Sequence, residues 1–414
     1  MIGRWRSSAR RLREFLQLPA AARDQRRRDR SGLPTFDPGN ARVLDGLKGW
    51  LYRAQDESKS QDGGVARDYS LINGWATSYP ETTGYIIPTL IDYGQRGGEA
   101  DAMARARRMA DWLVAIQLPC GGFQGGKIDS RPVVPVTFNT GQILLGLAAA
   151  EQAFGQYRAA MHRAADWLVK TQDVDGCWRK HPTPFATAGE KAYETHVAWG
   201  LFEAARIDPD RGYGEAGLAN VRWALGLQSD DGWIRECSLD DVTNPLTHTI
   251  GYALRGILEA YRFSKDPTFL NAAKRTADAL LGVQAAKGFL PGCLRSDWSA
   301  ATSWICLTGT AQIAHCWLLM YQYTGKRLYA EAAFEGNRLV RRTVVFDGVP
   351  DVRGGVKGSF PVDGEYGRYE YLNWAAKFLA DSLMLEEKVR CEIERTSGNG
   401  NCCDARAILV ATPA

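Results

Sequence analysis

The chain repeats one phrase at a nearly constant step: a Gln, three residues, then a Gly, followed in most copies by an aromatic or near-aromatic position. It reads Gln117…Gly121, Gln172…Gly176-Cys177-Trp178, Gln228…Gly232-Trp233 and Gln284…Gly288-Phe289. A Trp stands five residues before the Gln in three copies (Trp112, Trp167, Trp223), and Ala279 takes that place in the fourth. A weaker forerunner, Trp50-Leu51…Gln55, precedes Gly63-Gly64. From Gln55 onward the steps are 62, 55, 56 and 56 residues. A constant period means one supersecondary unit copied several times, which constrains the architecture more than any motif does.

Each period holds two helical patterns. The first is almost continuously apolar and rich in small residues, as in Gly141 to Ala150, Thr195 to Ala205, Thr249 to Tyr261 and Gly309 to Tyr323. Such a helix is buried on most sides. The second is amphipathic, as in Tyr157 to Thr171, Gly217 to Leu227 and Phe269 to Val283, and suits an outer layer. Strand signals are nearly absent. Inner-to-outer connections are short, and outer-to-inner connections are long and rich in Gly and Pro, where function usually sits. Five complete hairpins begin near Thr82, Asn139, Thr195, His248 and Ser303. A leftover outer helix (Leu44 to Gln55) and a leftover inner helix (Tyr369 to Leu385) supply the sixth. The expected fold is all-α, an (α/α)6 toroid closed by pairing of the N- and C-terminal helices. An open solenoid would leave those half-units bare.

The 414 residues, 45% of them hydrophobic, can bury a large core. Length alone would allow two or three domains. The repeat instead argues for one closed domain over 41–388, with a flexible basic arm at 1–40 and a disordered tail at 389–414. Net charge is +4, too small to imply a nucleic-acid partner. Residues 1–30 hold ten Arg and three acids. This arm reads as a solvated tail or as a peripheral contact with anionic lipid. It lacks the apolar stretch of a secretory signal, and no run is long enough to span a membrane. A cytoplasmic protein, at most peripheral at the inner membrane face, is expected. Nine Cys form no zinc-ribbon pair and read as reduced thiols. No ligand spacing commits to a metal, and no cofactor motif is present.

The inner helices all start on the long-loop face, so their N-termini converge at one mouth favourable to anions. The starts are polar and aromatic: Tyr79-Pro80-Glu81-Thr82-Thr83-Gly84-Tyr85, Phe138-Asn139-Thr140-Gly141-Gln142, Tyr193-Glu194-Thr195-His196, Thr247-His248…Tyr252, Trp298…Trp304 and Tyr366-Gly367-Arg368-Tyr369-Glu370-Tyr371-Leu372-Asn373-Trp374. Taken singly, each His or Tyr could be a cap or a core residue. Six copies at one mouth read as a sugar site, where rings stack on aromatics and hydroxyls meet a few polar groups. Two Gly-rich segments add Arg67, Tyr69 and Trp75, and Arg353 with Lys357.

The Gln-x3-Gly-Trp phrase in an all-helical repeat resembles the α/α toroid group, which includes terpenoid cyclases, protein prenyltransferases and six-hairpin sugar enzymes. The two Gly-rich segments and Ser78 to Tyr85 look like proteins encoded among bacterial surface-polysaccharide genes. Tyr369 to Trp374 is similar to the C-terminal region of glucuronyl C5-epimerases. These resemblances imply a glycan substrate and a uronate C5-epimerase or β-eliminating lyase; the expected cytoplasmic place and the Arg-rich arm fit a lipid-linked or nucleotide-linked glycan.

Both reactions remove the proton α to a carboxylate and must neutralise that carboxylate. Arg368, Arg295 and Asn139 are the expected neutralisers. His196, His248, Tyr252, Tyr366 and Tyr369 are the expected proton carriers. Substrate contacts are assigned to Tyr69, Trp75, Tyr79, Glu81, Tyr85, Tyr193, Glu194, Trp298, Trp304, Arg353, Lys357, Tyr371 and Asn373. A glycoside hydrolase is the alternative, with Glu81, Glu194, Glu370 and the Asp240-Asp241 pair as its carboxylates. A terpene cyclase would need an Asp-x-Asp-Asp acid, which the chain lacks. A non-catalytic glycan-binding scaffold would use the same mouth.

Overall fold

The structure is a computed structural model that describes residues 17–187 and 189–396. It contains thirteen α-helices and five short strands among the described residues. Helix α1 spans Ala20–Arg30 and precedes the ring. The outer helices are α2 (Asn40–Asp56), α4 (Ala100–Ile116), α6 (Arg158–Thr171), α8 (Tyr213–Leu225), α10 (Pro267–Lys287) and α12 (Arg327–Arg341). The inner helices are α3 (Pro80–Gly97), α5 (Thr137–Phe154), α7 (Thr195–Ile207), α9 (Thr247–Ser264), α11 (Leu307–Thr324) and α13 (Asn373–Thr396). Each inner helix packs on the next, α13 returns to α3, and α2 pairs with α13. The ring is therefore an (α/α)6 toroid closed by the two ends of the repeat.

Glycines set the tight inner radius. A Cβ at Gly146 would fall on the Gly84 carbonyl, one at Gly200 on the Gly141 carbonyl, and one at Gly256 on Thr195. These close approaches explain the small-residue composition of the inner helices.

The Gln of the repeated phrase is a joint. Nε2 of Gln117 donates to Gly121 O (2.9 Å) and to Ala160 O of α6 (3.0 Å). Gln172 does the same with Gly176 O and Ala216 O of α8 (both 2.9 Å). Gln228 reaches Ala272 O of α10 (3.0 Å), and Gln284 reaches Ala332 O of α12 (2.9 Å). Each Gln thus ties its outer helix to the next one. The Gly of the phrase turns with positive φ (98° at Gly121, 93° at Gly176), a conformation glycine adopts without strain.

A second circle of bonds links the long loops. Ile128 N donates to Ser78 O, Thr137 N to His181 O, Ala192 N to Glu236 O, Thr247 N to Gly292 O and Leu307 N to Gly358 O. Asn373 N closes the circle on Arg67 O. Within these loops β1 (Asp68–Ser70) pairs antiparallel with β2 (Gly74–Trp75) and with β5 (Glu370–Leu372). Strands β3 (Ile305–Cys306) and β4 (Ser359–Phe360) pair likewise. Tyr369 to Leu372, expected as helix, is thus loop and strand, and it joins the first long loop to the last.

Residues 1–16 lie outside the described residues, but α1 is docked. Asp29, buried, accepts from Lys357 Nζ (2.6 Å) and Val362 N (2.7 Å). Arg26 and Arg30 pair with Asp363 (2.7 and 2.8 Å). Further on, Asp37 pairs with Arg341 (2.7 Å). Lys357, Arg341 and Asp363 of the ring thus hold this stretch in place. At the other end of the ring, α13 continues to Thr396.

Candidate active site

The inner-helix starts enclose a pit whose walls are aromatic and whose polar groups are deeply buried. Phe138 packs edge-on against Tyr193 and Tyr252, with ring centroids 5.3 and 5.1 Å apart. Tyr252 also meets His196 at 4.5 Å, His248 at 4.4 Å and Phe378 at 5.9 Å. Tyr366 lies 5.3 Å from His248 and accepts a bond from Trp374 Nε1 (2.7 Å). Tyr79 and Trp374 stand 6.2 Å apart at the rim.

Glu81, in the first turn of α3, is the acid of this pit. It is 8% exposed, and Tyr79 Oη donates to its Oε2 (2.9 Å). Burial raises its carboxyl to about 7, against the opposing bond from Tyr79 and the charge of Arg67. It acts electrostatically on Tyr79, Tyr85, Tyr252 and Tyr366, whose phenols burial already drives well above their usual range. Glu194, beside Tyr193, is raised to about 8 by burial, and its Oε2 has no partner among the described residues. Near neutral pH Glu194 carries a proton, and Glu81 is about half protonated.

The imidazoles behave in the opposite sense. Burial lowers His248 to about 4, and burial with the charges of Arg255 and Lys377 holds His196 well below its ordinary value. Both are neutral near pH 7 and can accept a proton. Below them Lys377 pairs with Asp381 (2.6 Å) and Arg255 with Glu259 (2.8 Å), so these cations are compensated. At the rim Arg67 lies over the Trp374 ring (5.2 Å) and shares Nη1 between Asp68 (2.7 Å) and Glu370 (3.1 Å). No group of His, Cys, Asp and Glu suited to a metal ion occurs among the described residues.

Ten of the residues expected from sequence come together here: Tyr79, Glu81, Tyr85, Asn139, Tyr193, Glu194, His196, His248, Tyr252 and Tyr366. Asn373 clamps the wall, donating to Ala66 O (2.8 Å) and Thr82 Oγ1 (2.7 Å). The others are engaged elsewhere. Lys357 is consumed by Asp29, and Tyr371 Oη donates to Gln25 of α1 (3.2 Å). Arg368 lies over Tyr369 (5.5 Å), and Tyr369 responds to the charges of Asp363 and Arg26 beside α1. Arg353 donates to Gly348 O, and Arg295 to Ala300 O, each within its own turn. Trp298 packs on Trp233 (5.2 Å), and Trp304 sits against Gly292 and Gly364. Tyr69 and Trp75 form a separate cluster in which Trp75 donates to Asp351 (3.1 Å). Sequence reasoning passed over Gln312, Phe378 and Arg255, because they lie one or two turns inside their helices.

Several solved structures share this architecture. An unsaturated glucuronyl hydrolase specific for heparin superposes with a TM-score of 0.68 at 15% identity, covering 85% of this chain and 98% of that one. The unsaturated glucuronyl hydrolase of a Bacillus species gives 0.67 at 15% identity, over 85% and 98% of the two chains. A D-mannose isomerase gives 0.63 at 11% identity, over 85% and 99%. The likeness is one of fold. No protein-family model and no curated protein sequence matches the chain.

Proposed function

We propose that this chain is a carbohydrate-active enzyme that moves the C5 proton of a uronate within a glycan, as an epimerase or a β-eliminating lyase. The observation that carries this reading is a buried carboxyl, Glu81, sharing one aromatic pit with two buried imidazoles, His196 and His248, that flank Tyr252 at 4.5 and 4.4 Å. In this scheme an imidazole Nε2 takes the C5 proton, and the C–H electron pair moves into the adjoining carboxyl group. An epimerase returns a proton to the opposite face of C5, and Glu81 is its source. A lyase gives that proton to the departing O4 as the C4–O4 bond breaks. Asn139 would meet the uronate carboxylate, with Arg67, in place of Arg368 and Arg295, turning from Asp68 and Glu370 to do so. Structural neighbours that act on glucuronyl residues and that isomerise a sugar support the substrate class and the proton chemistry. The glycan would be one under assembly on a lipid or nucleotide carrier. The docked Arg26 and Arg30 leave membrane contact to the remaining basic residues of the arm.

A hydrolase reading is favoured by the second buried carboxyl, Glu194. It would use Glu81 to protonate a glycosidic oxygen or an unsaturated uronate. Uronate polymers and their unsaturated fragments incubated in D2O separate these readings. Deuterium at C5 identifies an epimerase. A growing ultraviolet band of unsaturated uronate identifies a lyase, and loss of that band identifies a hydrolase. Binding with none of these signals leaves the scaffold reading.

A further inference from the structure

The two imidazoles of the pit are held by the same device from opposite sides. His196 stands one residue after the start of α7, and its Nδ1 lies 2.6 Å from Oε1 of Gln142 on α5. His248 stands one residue after the start of α9, and its Nδ1 lies 2.6 Å from Oε1 of Gln312 on α11. Both Gln stand five residues after the first residue of their helix (Thr137, Leu307). All four side chains are buried. With the amide oxygens facing the rings, each Nδ1 carries the hydrogen and each Nε2 is left with a lone pair; a flipped amide would give the opposite tautomer. Nε2 of His196 has no partner among the described residues, and neither has Nε2 of Gln142 or Gln312. Tyr252 sits between the two rings, at 4.5 and 4.4 Å. Packing alone would favour apolar side chains at Gln142 and Gln312, since each buries an amide group with an unmet donor.

We propose that Gln142 and Gln312 are positioning residues that hold His196 and His248 as a matched pair of Nδ1–H imidazoles, presenting two basic Nε2 atoms to one sugar ring. The inference rests on the pit being a site of proton transfer. It also predicts an arrangement that can be observed without any substrate. Four consecutive inner helices, α5, α7, α9 and α11, contribute one side chain each, so the pair is centred on the boundary between α7 and α9.

The test is a long-range 1H–15N correlation spectrum of the full chain, which has only five His to assign. Wild-type protein should show His196 and His248 protonated at Nδ1 and bare at Nε2. Gln142→Met keeps the shape and removes the acceptor. It should release His196 to the other tautomer and lower kcat about 10–100-fold with KM little changed. Gln142→Glu keeps an acceptor and should restore both the tautomer and most of kcat. Gln312→Met and Gln312→Glu should do the same for His248. An Nε2–H tautomer in the wild type, or an unchanged tautomer in both Met variants, overturns the proposal. The wild-type spectrum decides the matter even where a variant fails to fold. If the tautomers respond as expected while no uronate substrate is turned over, the positioning stands and the proton-transfer reading falls.

Discussion

Burial, more than any ion pair, sets the protonation state of Glu81. Its carboxyl keeps a proton up to about 7, while His248 stays neutral down to about 4. An enzyme that uses Glu81 as acid and an imidazole as base is active only between those values. kcat/KM should therefore fall as pH rises through about 7, when Glu81 loses its proton, and fall again as pH drops toward about 4, when His248 gains one. Glu81→Gln should abolish turnover with the fold retained, and an unchanged rate would place the acid elsewhere. Stability follows a related rule. The folded pKa of His248 lies below its ordinary 6.5, so the native state binds fewer protons and loses stability as pH falls from 6.5 toward 4. Tyr369→Phe, by contrast, should leave turnover intact, because that ring is held beside α1. The residues legible in the sequence were those whose position in the period repeats, such as Asn139 and His196. Lys357 and Tyr371 misled because their partners, Asp29 and Gln25, are 328 and 346 positions away in the chain.

At the level of elements, two kinds of joint can be weighed against each other. Gln117 and Gln172 each make two neutral hydrogen bonds to backbone. Gln172→Ala should cost about 1–3 kcal/mol by removing its bonds to Ala216 O and to Gly176 O, which keeps Asn220 Nδ2 (3.0 Å). Urea unfolding at constant m-value measures this. The Asp29–Lys357 pair is buried and ionic, so removing one partner is worse than removing both. Asp29→Ala should lose about 3–5 kcal/mol, and Asp29→Leu with Lys357→Met should recover much of it. Turnover should survive in the double variant, since neither residue lines the pit. The helical period and the outer-helix joint could be read from the chain, because both recur every 55 or 56 residues. The docking of α1 could not, since a single Arg-rich segment carries no period to show which carboxylates await it.

The whole ring depends on its sixth hairpin. A chain ending at Leu372 keeps five hairpins but lacks α13. The apolar face of α2, with Val43, Leu47, Trp50 and Leu51, would then lose its cover. Such a chain should bind a hydrophobic dye and run as aggregates in size-exclusion chromatography. The architecture was legible because two leftover half-units demanded each other. The mouth was legible only as a place, because which side chains meet there depends on the register between neighbouring helices. Asn373 N closing on Arg67 O has a consequence in time. During synthesis the ribosome makes the first rim of the mouth near residue 67 and the last near residue 373, so most of the protein is finished before the circle can be. A nascent chain carries Glu81, His196 and His248 before the wall that encloses them, and that wall waits for α13 to emerge.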